Sequence, residues 1–313
     1  MRLFLLISFI VLTVWGGSAM AGQAPPQPTW LDPWREATVA LGVVKKAKIK
    51  SPDGKESERE IFAVIGTGVI FGSPEEQSRT PLLVTAKHVF FDPKEGWDPE
   101  LIRLRFAWFE DRPVEDYLGI PIRLKEKGRH LWTPHPNPSV DLATIPLLIT
   151  RDVAGRDSVS PVPVTHFVGA ADIYEGAHVI VLGYPGAIGP AFWTRALVRS
   201  GVIAWVNPKN PAGEQIIIDS LVFPGNSGGP VFRLPTGVNR AGGYSIGTGV
   251  AFLGIVSQGR KQEMPLVAEG SRIEIQGPQG PVSVVSQQWI GVGIIEPAER
   301  VLELLKAALK SLP

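Results

Sequence analysis

Phe223-Pro224-Gly225-Asn226-Ser227-Gly228-Gly229-Pro230-Val231-Phe232 holds a serine between glycines, entered through Pro-Gly and left through Pro into an apolar strand. Glycines that free the backbone predict a tight turn there, with the Ser227 hydroxyl presented outward. Such a turn can aim the amides of Gly225 and Ser227 at one point, where an oxyanion of a tetrahedral intermediate would sit. Gly225-x-Ser227-x-Gly229 alone is also compatible with a plain glycine-rich loop; the longer string is the more specific signal. A serine nucleophile needs a base, and His88, His130, His135, His166 and His178 all precede it. That order excludes the α/β-hydrolase arrangement, in which the histidine comes last.

His88 ends the apolar run Leu82-Leu83-Val84-Thr85-Ala86-Lys87, Asp141 opens Asp141-Leu142-Ala143, and Ser227 follows, with separations of 53 and 86 residues. Histidine, acid and serine in this order are the chymotrypsin arrangement. Thr85-Ala86-Lys87-His88-Val89, Asp141-Leu142-Ala143 and Gly225-Asn226-Ser227-Gly228-Gly229-Pro230 resemble the three motifs of the trypsin-like serine peptidases. The likeness extends over roughly residues 37–305. Gly66-Thr67-Gly68-Val69-Ile70, Gly183-Tyr184-Pro185-Gly186 and Gly291-Val292-Gly293-Ile294-Ile295-Glu296-Pro297 look most like bacterial HtrA-type proteases. The resemblance implies His88 as base, Asp141 as its orienting acid and Ser227 as nucleophile, with Gly225, Asn226 and Ser227 around the oxyanion. It also implies a substrate-pairing strand at Ser257, Gln258 and Gly259. By family spacing Leu221 falls at the floor of the specificity pocket, which would then be apolar and favour small or aliphatic residues before the cut.

Each residue also has a plainer reading. His88 could be a satisfied core histidine and Asp141 a strand start. His130, His135, His166 and His178 read as structural or exposed, with no metal-ligand spacing among them. Asn226 stands where mammalian zymogens carry an aspartate, and no Arg-Ile-Val-Gly-Gly occurs near the start, so activation by clipping is not expected. The HtrA-like PDZ domain is not expected either, since only a helix follows Pro297.

Thirty-four glycines and 29 prolines in 313 residues break the chain into short segments, which predicts an all-β fold. The expected architecture is two six-stranded antiparallel β-barrels with a C-terminal α-helix. Residues 1–21 read as a signal peptide, 22–36 as an extended lead-in, 37–150 as the first barrel, 151–296 as the second and 297–313 as the helix. Strands are expected at 38–49, 61–71, 81–86, 101–109, 119–124 and 142–149, then at 178–183, 196–206, 215–219, 230–232, 248–257 and 283–295. Residues 150–165 read as the crossover. Residues 260–290 read as a long loop flanking or covering the pocket entrance, with a distant hairpin as the alternative. In the helix, Val301, Leu304, Leu305, Leu309 and Leu312 share one side, for packing on the barrel or for dimerisation.

Arg2, the apolar run Leu3 to Trp15 and Ala19-Met20-Ala21 form an export signal, with an uncleaved anchor as its rival. The expected location is periplasmic or extracellular, without stable membrane association once the signal is cleaved. Cleavage would remove Arg2 alone among the charges, leaving 30 Lys+Arg of the original 31 against 30 Asp+Glu. That neutrality favours neither nucleic acid nor anionic membrane. The run Lys45-Lys46-Ala47-Lys48-Ile49-Lys50 reads as a solvated strand face before a turn at Asp53-Gly54. Without cysteine, no disulfide frame is available, and 44% hydrophobic residues must supply the core. No cofactor is expected, polypeptides are the expected partners, and an oligomer is possible but not indicated. A second class of function is a catalytically idle protein that holds extended peptides along Ser257–Gly259.

Overall fold

The computed structural model describes residues 29–50, 56–74, 80–106, 117–147, 161–169, 172–188, 195–247, 249–265, 267–268, 271–272, 274–277, 280–283 and 285–311. Leu31–Pro313 form one compact unit; of the separate unit Met1–Trp30, residues 29 and 30 are described. The expected signal peptide and the 150–160 part of the crossover therefore lie outside the described residues. Among those described, no helix is long and apolar enough to cross a membrane.

The C-terminal half closes as expected. His178–Gly183, Leu197–Trp205, Ile216–Asp219, Val285–Pro297, Ala251–Pro265 and Pro230–Arg233 pair in that order into a closed barrel. Strand alternation gives each barrel strand two faces. Val179 and Val181 point into the barrel beside Ile203, Ile218, Val231 and Leu253, while Ile180 and Leu182 face the neighbouring half. Both faces are buried, so the strand reads as an unbroken apolar run.

The N-terminal half departs from the expected closed barrel. Its sheet runs Ile120–Arg123, Leu101–Arg105, Thr38–Lys50, Glu56–Phe71, Leu82–Thr85, Ala143–Pro146, Thr133–Pro134, and its ends do not meet. The edge of Ala143–Pro146 that would take Ile120–Arg123 is held instead by Thr133↔Thr144 and Pro134↔Ala143. Ile120–Arg123 is thereby left with Leu101–Arg105 as its one strand neighbour among the described residues. Curvature still encloses a core of Val39, Leu41, Ile70, Leu83, Ile102 and Leu104.

Thr38–Lys50 and Glu56–Phe71 form a hairpin arm around residues 51–55, which contain the expected Asp53-Gly54 turn and lie outside the described residues. The lysine run meets acids across the arm, Lys46 opposite Glu60 and Lys48 opposite Glu58, as a solvated face with opposite-charge pairs. The segment 260–290, expected as a long loop with a hairpin as the alternative, is built of paired strands. It continues two barrel strands outward, pairing Lys261 with Trp289 through to Pro265 with Val285, and carries two short ribbons beyond. Apolar alternation is weak there because a two-stranded ribbon has no barrel interior to face.

Part of the expected lead-in is also a helix, Asp32–Ala37, with Pro33 in its first turn. It buries Trp34, whose ring lies 4.1 Å from that of Phe232 and 6.1 Å from that of Phe252. The C-terminal helix Ala298–Ser311 buries Val301, Leu304, Leu305 and Ala308 in the same core. Trp34→Ala is expected to lower unfolding free energy by about 3–5 kcal/mol, measured by urea titration. A loss under about 1 kcal/mol would mean that the helix is not anchored through this ring.

Candidate active site

The buried strand Leu82–Thr85 leaves the core at Ala86, whose extended backbone turns the chain into one helical turn, Lys87–Phe90. Val89 and Phe90 anchor that turn inside. His88 then lies on its outer side, with about a third of its side chain exposed (35%). Asp141 meets it from the loop before Ala143–Pro146. Its Oδ1 accepts the His88 backbone N–H at 3.0 Å and its Oδ2 accepts His88 Nδ1–H at 2.7 Å. An ionised carboxylate only accepts, so Nδ1 carries the proton and Nε2 keeps its lone pair.

Asp141 is itself held from three sides. Ser257 Oγ–H donates to Oδ2 at 2.8 Å, and Lys87 N–H donates to its carbonyl at 3.2 Å. Its own N–H donates to Glu296 Oε1 at 3.3 Å. Lys87 Nζ also donates to Pro138 and Val140 carbonyls, fixing the loop that carries the acid. For His88, burial pulls the imidazole pKa down, but the Asp141 hydrogen bond and charge, with the Asp92 charge, outweigh it, and the net shift is upward.

Ser227 sits half-exposed on a turn that only glycine can make. Gly225 and Gly228 have φ of +97° and +89°. A Cβ on Gly228 would lie 1.9 Å from the Thr67 carbonyl oxygen, and one on Gly225 2.4 Å from that of Tyr184. Thr67, from the N-terminal sheet, stitches the turn down. Its N–H donates to Ser227 O at 2.8 Å, its Oγ1–H to Gly225 O at 2.6 Å, and Oγ1 accepts Tyr184 N–H at 3.0 Å. Thr85 Oγ1–H donates to the Thr67 carbonyl at 2.7 Å, which links this point to the strand leading to His88. Gly66 completes the junction: a Cβ there would lie 2.7 Å from Val89 and 3.2 Å from Ser227 O.

Of the three residues expected around the oxyanion, Asn226 uses its N–H on Phe223 O at 3.0 Å. The N–H groups of Gly225 and Ser227 have no acceptor among the described residues. No hydrogen bond joins Ser227 Oγ to His88 in this structure; such bonds commonly tighten when substrate seats.

Gln258 is exposed and Gly259 half-exposed. Pairing with Pro230–Arg233 stops at Ile255 and Val256 still bonds to Gly228 and Gly229, its carbonyl accepting the Gly228 N–H at 2.7 Å and its N–H donating to Gly229 O at 2.9 Å, so only beyond Val256 is that edge of the strand open among the described residues. Ser257 lies at a register shift and is fully buried, its side chain spent on Asp141. Leu221, expected at the floor of the specificity pocket, is 53% exposed and lines a cavity of about 420 Å³ with His178, Val202 and Asp219. It is the next residue, Val222, that turns into the core.

The other histidines stay apart from this cluster. His130 pairs with Asp98, and His135 is buried against Glu303 of the C-terminal helix. Among the described residues no group of acids and histidines is arranged to hold a metal. Thr67, Glu296 and the Ser257 hydroxyl were not singled out from the sequence. A lone charge closing Ile294-Ile295-Glu296-Pro297 was the available signal for Glu296.

A family model described as the trypsin-like peptidase domain matches residues 66–238, and the chain belongs to that family. Comparison with curated proteins finds no match.

Glu296 is fully buried, accepts from Asp141 and from Gln215 Nε2, and pairs with Arg300 at 2.6 Å. Glu296→Ala leaves Arg300 and the Asp141 N–H without this partner and is expected to cost about 3–5 kcal/mol in a chemical denaturation experiment. A change within about 0.5 kcal/mol would show that the buried carboxylate is dispensable.

Proposed function

We propose that this peptidase domain acts as a serine endopeptidase with His88, Asp141 and Ser227 as its triad. The observation that carries the reading is the Asp141 carboxylate held on His88 at both its backbone N–H and Nδ1–H. That double hold fixes the tautomer with Nε2 free to take a proton. Ser227 Oγ attacks the scissile carbonyl carbon as its proton passes to Nε2, and the resulting oxyanion receives the Gly225 and Ser227 N–H groups. His88 then protonates the leaving amine. Water, deprotonated by the same nitrogen, attacks the acyl-enzyme and releases Ser227. Asp141 stays ionised throughout and stabilises the imidazolium.

Polypeptide is the substrate class, and no cofactor enters any step. The open edge at Gln258–Gly259 suits an extended peptide added as a strand. Residues 1–21 support export to the periplasm or beyond, with cleavage after Ala21.

A fluorophosphonate probe is expected to modify Ser227, mapped by mass spectrometry of the purified protein. Ser227→Ala should lose the label and reduce hydrolysis by on the order of 10⁶. Label at another residue, or undiminished activity in the mutant, removes the mechanism; peptide binding without label or turnover would favour the idle binding protein.

The pH dependence has a defined sign. His88 must be neutral to act as base, and its pKa is raised. Thus kcat/KM should climb with pH through a midpoint above the ordinary histidine value of ~6.5. The His88 contribution to folding stability runs the other way, full in acid and lost as pH rises through the folded-state pKa. Asp141→Asn removes the Asp141 contributions that raise it while burial remains, so the midpoint should fall and kcat drop by about 10⁴. An unchanged midpoint in that variant would count against Asp141 as the orienting acid.

A further inference from the structure

Strand register places one unassigned cation beneath the turn that carries Ser227. In the closed barrel Leu197 pairs with Gly183 and Arg199 with Val181, whereas Asp219, the last residue of its own strand, pairs with Val202. Residues 197–201 therefore extend past Asp219, under the span that residues 220–229 make from one strand to the next. Arg199 shares the inward face with Ile203, and its cross-strand partner Val181 is fully buried in the barrel core. Its side chain accordingly starts on the interior face and reaches the mouth, where its guanidinium carbon lies 4.8 Å from the centre of the Phe223 ring.

Phe223 stands four residues before Ser227, and its carbonyl holds the Asn226 N–H, so ring and nucleophile belong to one rigid turn. Leu221 is 53% exposed and lines a cavity with His178, Val202 and Asp219. Two observations mark Arg199 as available to a ligand. Its Nε is buried without a hydrogen-bond partner, and its guanidinium forms no ion pair among the described residues. Arg300 and Arg233 differ, each having a carboxylate within 4.0 Å. Burial also pulls the Arg199 pKa down, the cost of holding a cation partly out of water without a counter-charge. The Phe223 face covers one side of the guanidinium and leaves its N–H edge for a planar acceptor.

We infer that Arg199 is a specificity determinant, and that the enzyme prefers an acidic side chain at the residue before the scissile bond. A glutamate or aspartate carboxylate there would meet the guanidinium edge-on with paired hydrogen bonds. This replaces the aliphatic preference expected from Leu221 and rests on the reading of Ser227 as nucleophile.

The test is a set of fluorogenic peptides identical except for Glu, Gln, Ala, Leu or Lys before the cleaved bond. The natural sequence should favour Glu over Gln by roughly 10- to 100-fold in kcat/KM, the size of a charge-assisted hydrogen bond. The ratio should shrink as salt is added. Arg199→Gln should bring the Glu to Gln ratio near one, and Arg199→Glu should favour Lys. Equal turnover of Glu and Gln peptides, or an aliphatic preference, by a protein whose Ser227 takes the fluorophosphonate label overturns the inference and leaves the nucleophile standing. Absence of label with no turnover of any peptide overturns the underlying reading instead. The unmutated enzyme's profile alone decides the matter if either variant fails to fold.

Discussion

Thr67 is the point through which the two halves of the molecule share one geometry. It is fully buried, and its N–H, hydroxyl and carbonyl are all engaged: two bonds fix the carbonyls of Ser227 and Gly225, one receives Tyr184, and one receives Thr85. A buried polar side chain is costly unless satisfied, and here satisfaction requires the N-terminal sheet and the glycine turn to be in register. Gly228 has no Cβ because the Thr67 carbonyl and Thr85 hydroxyl occupy its place. The glycines around Ser227 thus answer two demands at once, positive φ and close approach of a second backbone.

The acid side of the site is fastened differently. Asp141 rests on groups from three later parts of the chain, Ser257 on a barrel strand, Glu296 at a strand end, and through Glu296 the Arg300 of the C-terminal helix. Charge on the Glu296 carboxylate is compensated by Arg300, whose Nε also donates to the Gly213 carbonyl. The helix therefore does more than cover apolar surface with Val301, Leu304 and Leu305: its first turn carries the counter-charge of a carboxylate that touches the acid's backbone.

Much of this was legible in the sequence because the features are local. Runs such as Val179 to Leu182 announce strands buried on both faces, and Thr85-Ala86-Lys87-His88-Val89 places a histidine just past a strand end. What failed to appear depends on contacts distant in the chain. Thr133–Pro134 capturing the edge of Ala143–Pro146, and so leaving the first sheet open, is a competition between partners that no local pattern records. Spacing singled out Leu221, but only the register of Leu197–Trp205 against His178–Gly183 reveals that Arg199 shares the inward face with Ile203. The 260–290 ribbon stood only as the alternative to a loop, because an isolated strand pair needs no apolar alternation.

The Thr67 junction also bears on timing. Residues 66 and 67 are made long before residue 227, and the hydrogen bonds that set the serine turn cross 158 residues or more of sequence. In a chain whose two halves have not docked, the serine turn lacks its Thr67 bonds and Asp141 lacks those from Ser257 and Glu296. Under the proposed chemistry such a chain is inert, and hydrolytic competence requires that the two halves have docked.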